Sequence, residues 1–138
     1  PALSLERLAA SDADLALYVL RADLSSAAPL MDSGADLTAE DGAGAPVRFV
    51  INQIDRRRPL CRDVETTLSD ALGEKLIACI GYDEAAPESF ARGTLTANAA
   101  PNARLIGEIE TLSGQLRAIL RSDASDTDGY AQKVAATA

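Results

Sequence analysis

The sequence predicts an α/β fold built on a parallel sheet, and two observations carry that prediction. Three short apolar runs, LALYVL at 15–20, VRFVI at 47–51 and KLIACI at 75–80, are each followed by polar residues and then by a segment of helical periodicity. In the runs, apolar residues fall on both parities, the pattern of a strand covered on two faces. Strand, helix, strand, helix, strand, helix at this spacing demands parallel strands joined by right-handed crossovers. Ligands of such sheets sit beyond the carboxyl ends of the strands.

The elements follow in order. SLERLAASDAD begins as a short amphipathic helix, with Leu5, Leu8 and Ala9 on one stripe. Leu15–Leu20 is the first strand, expected to be buried on both faces, with Arg21, Ala22 and Asp23 at its carboxyl end. Ser25 or Ser26 could cap a helix through Ala27 to Met31 and on toward Leu37. TAEDGAGAP at 38–46 is a turn-rich connector. The second strand, Val47 to Ile51, is expected to stop at Asn52 and lead through a basic loop, Arg56 to Arg58, to a helix starting near Arg62 and Asp63. Val64, Thr67, Leu68 and Ala71 form that helix's inner stripe, Glu65 belongs to its acidic first turn, and Gly73 closes it. After the third strand come the loop Gly81, Tyr82 and Asp83, a helix from Glu84 to Arg92, and a stretch without apolar pattern, 94–103. Leu105, Ile106, Ile109, Leu112, Leu116 and Ile119 then recur at helical spacing through Leu120. The organisation expected is a folded unit over 1–120 and a flexible or weakly attached tail over 121–138.

Composition narrows the function classes. At 138 residues the chain is one domain's worth, 47% apolar and 4% aromatic, with a net charge of −8 and a pI near 4.4. That balance argues against nucleic-acid binding by bulk electrostatics. There is no histidine, which removes the commonest acid–base group and zinc ligand. Cys61 and Cys79 make neither a disulfide framework nor a metal pair; Cys79 reads as a buried small hydrophobe, and Cys61 sits at a loop-to-helix junction. No apolar run reaches bilayer length and no signal peptide is visible, so the expected compartment is the cytoplasm. No catalytic residue and no metal ligand is assigned: no acid has a visible nucleophile or base to work with. LALYVL carries no lysine, proline or inward charge to protect an edge, and the chain reads as half of a sheet.

Three segments in order, LALYVLRADLSSAAPL, VRFVINQIDRRRPLCRDV and LIACIGYDEAAPESFARG, are similar to the carboxyl-terminal half of the ParA/MinD family of deviant-Walker, SIMIBI-class P-loop ATPases. Within that family the run INQIDRRRPLCRD followed by YDEAAPESFARG looks most like the type encoded with bacterial cellulose synthase, BcsQ (YhjQ). The resemblance covers about residues 3 to 120. It implies a three-layer, P-loop NTPase-like half domain from which the Walker A half is absent. It implies that Asn52 reads an adenine edge, for which a side-chain amide offers one donor and one acceptor face, and that Gly81, Tyr82 and Asp83 line the base pocket. Arg21 and Asp23 would lie near the family's dimer face and nucleotide cleft. Apart from the resemblance, Arg56, Arg57, Arg58 and Arg62 read as a partner or phosphate surface beside a helix N-terminus. Partners would be a second copy or a complementary amino-terminal half, and the cellulose synthase machinery at the inner membrane, with no nucleic acid.

The departures from the family matter as much. No G-x-x-x-x-G-K-[ST] loop occurs, and the one glycine-rich run, GAG at 42–44, lacks its lysine and hydroxyl residue. Without these the phosphates have no cradle, so this chain alone should not hydrolyse ATP, and ATP or ADP is expected only with the missing half. A fragment of a longer ATPase, a short relative with a docking role, and one half of a split enzyme all fit. Each residue also has a plainer reading: Asn52 as a turn residue, the arginines as a solvated run, and Asp83 with Glu84 as a helix cap and first-turn acid. The competing function is a non-enzymatic module that self-associates through a sheet edge or the helix at 103–120. A receiver-like domain fits less well, because its acidic pocket and strand-end lysine are not suitably placed here.

Overall fold

The structure, a computed structural model, describes residues 13–32 and 45–135, with the backbone alone for Pro29, Asp32 and 123–135. The expected amino-terminal helix, most of the connector at 38–46 and the extension toward Leu37 lie outside the described residues. Three strands, β1 (Ala16–Arg21), β2 (Val47–Ile54) and β3 (Leu76–Gly81), form one parallel sheet in the order β1-β2-β3. Helices α1 (Leu24–Asp32), α2 (Pro59–Leu72), α3 (Ala85–Ala91), α4 (Thr96–Ala99) and α5 (Arg104–Ala135) flank it.

The core lies where α1 and α2 meet β2. Phe49, Ile51 and Ile54 of the central strand pack with Ala27 of α1 and Cys61, Val64, Leu68 and Leu72 of α2. Ile51 and Leu68 are both 0% exposed. The shared core puts both helices on one face of the sheet, as consecutive right-handed crossovers require. Val50 and Ile80 are buried as well.

β2 outruns its expected end at Asn52 by two residues, because one left-handed residue keeps it in the sheet. Gln53 has φ 59°, and between Ile51 and Ile54 β2 advances three residues while β3 advances two, from Cys79 to Gly81. This bulge restores Ile54 to the face that Ile51 uses, so the strand regains a core contact instead of turning away.

Several other expectations are corrected. α2 starts four residues before Asp63, because Pro59 at its first helical position needs no donor and its ring supplies the helical φ. Cys61 is therefore a buried residue of the first turn, and Glu65 is beyond that turn. The inner stripe is Cys61, Val64, Leu68 and Leu72, with Thr67 exposed and donating its hydroxyl to the Asp63 carbonyl at 2.9 Å. α1 is capped by Asp23 rather than a serine: its Oδ1 accepts the Ser26 N–H at 3.0 Å and the Ser25 hydroxyl at 2.6 Å. β1 is not buried on both faces; it is an edge strand, with Val19 60% and Tyr18 44% exposed, the Tyr18 ring stacked on Phe49 at 5.5 Å. The stretch at 94–103 contains the short α4.

Gly73, at φ 51°, ends α2 and donates to the Ser69 carbonyl, and a 3₁₀ turn over Gly73–Lys75 leads into β3. α5 packs against β3 and runs 32 residues. At 1.5 Å per residue it is about 48 Å long, against about 20 Å for the six-residue β3, so it overhangs the sheet.

Candidate functional site at the carboxyl edge of the sheet

An aspartate follows each strand by one or two residues, and each carboxylate is taken up by backbone N–H groups of the next turn or helix. Asp23 after β1 caps α1. Asp55 after β2 accepts the Arg57 N–H at 3.1 Å. Asp83 after β3 accepts the Ala85 N–H at 3.0 Å on Oδ1 and the Leu105 N–H at 3.1 Å on Oδ2, so one carboxylate serves the first turns of both α3 and α5. All three acids are held below the ordinary aspartate range. The leading causes are the Ser25 hydroxyl for Asp23, the Arg57 guanidinium for Asp55 and the Ala85 N–H for Asp83.

Two clefts open along this edge. The larger, about 820 Å³, lies beyond β2 and β3 and is lined by Ile54, Asp55, Arg56, Arg57, Tyr82, Asp83, Glu84 and Arg104. The smaller, about 410 Å³, lies beyond β1 and β2, with Arg21, Asp23, Gln53, Arg58 and Cys61 among its walls. Asp55 and Tyr82 belong to both. The Tyr82 hydroxyl is pushed up from its ordinary value, chiefly by its hydrogen bond with Glu84.

Most guanidinium groups here already have a carboxylate. Arg56 makes a fork with Glu65 at 2.7 and 3.2 Å, which raises its pKa; Arg57 pairs with Asp55 at 3.0 Å and Arg21 with Asp23 at 3.0 Å. Arg104 of α5 reaches Glu108 at 3.3 Å and donates to the Tyr82 carbonyl at 3.3 Å. The larger cleft therefore carries three arginines against three acids, a neutral polar lining.

The structure thus brings Tyr82, Asp83, Arg56 and Arg57 to the larger cleft and Arg21, Asp23 and Arg58 to the smaller. Asn52 and Gly81 line neither. Asn52 pairs with Arg21 in the sheet, accepts the Ala22 N–H on its carbonyl at 3.3 Å, and accepts the Gln53 N–H on Oδ1 at 2.8 Å, which supports the left-handed turn. Gly81 donates its N–H to Glu108 Oε2 at 2.8 Å. Arg62 lies outside both clefts, one turn into α2.

Asp55, Arg104 and Glu108 join the site without having been expected there, and Glu84, expected only as a first-turn acid beside Asp83, lines the larger cleft. A signal for the acids lay in the recurrence of aspartate just after each apolar run: RAD, QID and YDE. Arg104 and Glu108 had none, since their role depends on where α5 docks. Among the described residues no group of three or more acidic or cysteine side chains is arranged to hold a metal ion. Among the described residues no helix is long and apolar enough to cross a membrane. The Cys79 thiol is pushed up by burial, as for a packing residue, and both cysteines are free. No family model matches the chain, and no curated protein sequence matches it.

Proposed function

We propose that this chain is the carboxyl-terminal half, or a short relative, of a ParA/MinD-like ATP-binding regulator of bacterial cellulose synthesis or secretion. On this reading it supplies the adenine side of a nucleotide site and a dimer or partner surface, and does no catalysis alone. The observation that carries the reading is the cleft at the carboxyl ends of two parallel strands, walled by Tyr82 and Asp83. Its neutral lining suits a base better than a polyphosphate, which calls for unopposed cations and a glycine-rich cradle. Asn52 of the neighbouring strand lies within the bulge that leads to the cleft residues Ile54 and Asp55. Adenine contact there requires the Asn52 amide to exchange its bond to Gln53 for the base.

A second reading, a non-enzymatic module that pairs with itself, is favoured by the β1 edge, where Val19 and Tyr18 are exposed. One experiment separates the two: intact mass and solution mass of the natively produced polypeptide, followed by photolabelling with 8-azido-ATP. A longer chain or a second polypeptide bearing a glycine-lysine loop, with label on the peptides holding Asn52 and Tyr82, is the expected result. A homogeneous 14.4 kDa chain that self-associates and takes no label overturns the nucleotide reading and leaves the module.

A further inference from the structure

The loop after β3 is tied to α5 residue by residue. Gly81 donates its N–H to Glu108, Tyr82 accepts from Arg104 on its carbonyl, and Asp83 accepts the Leu105 N–H. Gly81, the last residue of β3, and the two loop residues after it thus meet the first five residues of one helix. On its other side the same loop is bound to β2, through Tyr82 N–H to the Ile54 carbonyl at 3.0 Å, and to α3, through Asp83 and Ala85. The absence of a side chain at 81 leaves room for the Arg104 guanidinium, which a Cβ there would displace.

The way α5 is held differs from the way α1 and α2 are held. No α5 residue among those whose side chains are described belongs to the buried core cluster, and Leu105, Ile106, Leu112, Leu116 and Ile119 are half-buried. A helix fixed by a half-covered apolar stripe and a few polar clamps opens at a lower free energy than the core beneath it. Because the clamps end on Tyr82 and Asp83, which wall the larger cleft, such an opening changes that wall too.

We propose that α5 is a latch: its docked and undocked states form one two-state element with the 81–83 loop, so that holding or releasing α5 sets the geometry of the larger cleft. The coupling runs both ways, since any ligand preferring one cleft geometry biases α5 by the same factor. The proposal concerns the fold's own contacts and stands whether or not the cleft takes a nucleotide.

Amide hydrogen exchange followed by NMR on the full chain tests it. Glu108→Gln weakens the bond at Gly81 and the ion pair with Arg104 but touches neither bond of Asp83, yet a latch requires the amides of Gly81, Ala85 and Leu105 to speed up together, by about tenfold for the loss of one charge-assisted hydrogen bond. The amides of Val50 and Ile51 in β2 should keep their rates. Arg104→Met, which keeps the aliphatic stem, should accelerate the same set. A change confined to Gly81 means independent bonds and overturns the latch. An equal acceleration of Val50 and Ile51 means global loosening and overturns it as well.

Discussion

The two edges of the sheet are built from similar sequences and have opposite fates. LALYVL and LIACI are both nearly continuous apolar runs, yet β1 leaves Val19 60% exposed while β3 buries Ile80 to 4%. Both are terminal strands of the sheet, but α5 follows β3 and packs against it, whereas the described helix that packs against β1 is α1. Apolar content therefore marks a strand as fit for burial; which neighbour arrives to cover it is a separate matter.

The largest contrast should appear on truncating one residue at each edge. Ile80→Ala removes a buried side chain and should cost about 2–4 kcal/mol, whereas Val19→Ala should stay within about 0.5 kcal/mol, both read from urea midpoints. Equal losses would mean that β1 is covered in solution, and a solution mass above that of a monomer would identify self-pairing as the reason. Next in size is Gly81→Ala, which evicts the Arg104 guanidinium from the strand end. The displaced group is the tip of a flexible side chain, so the loss should be about 1 kcal/mol and be accompanied by faster exchange at Leu105. Gly73→Ala should cost about as much for a different reason: there is room for a Cβ, and the strain is that of φ 51°. Gly107→Ala, within α5 and facing open space, should instead stabilise by about 0.5–1 kcal/mol.

The smallest effect expected is pH-linked. Asp23 and Asp83 have depressed pKa values in the folded state, so each contributes stability above its unfolded pKa and loses it as pH falls through the folded one, below about pH 4. The two edges should differ in what is released. Protonating Asp23 frees the first turn of α1, seen at Ser26, while protonating Asp83 frees α3 and α5 together, seen at Ala85 and Leu105. Acid titration of these amides by NMR, with Asp83→Asn flattening the paired response and leaving Ser26 unchanged, is the check.

Much of this was legible in residue pattern. The three strands, the helices between them and the glycine that ends α2 could be read because apolar periodicity and turn residues act over a few positions. Element ends were less legible where two local signals competed. Asn52 looked like a strand terminus, yet Gln53 took the left-handed conformation and the strand continued to Ile54. Ser25 and Ser26 looked like caps, yet Asp23 offered an acceptor that both of them use. At the candidate site, proximity to a strand end was readable for Tyr82, Asp83 and Arg57. The Glu65 fork that occupies Arg56 and the α5 residues that grip 81–83 were not.

Local chemistry in the chain was enough to specify parallel strands, the helices joining them, and a polar edge with an aspartate after each strand. Strand order, the covered and the open edge, the pairing of each arginine and the joining of Glu108 to Gly81 across 27 residues all came from assembly. Periodicity and capping are contests among residues a few positions apart, so sequence records their outcome. Contacts between distant segments are decided by which apolar surfaces bury each other, and that depends on every element at once.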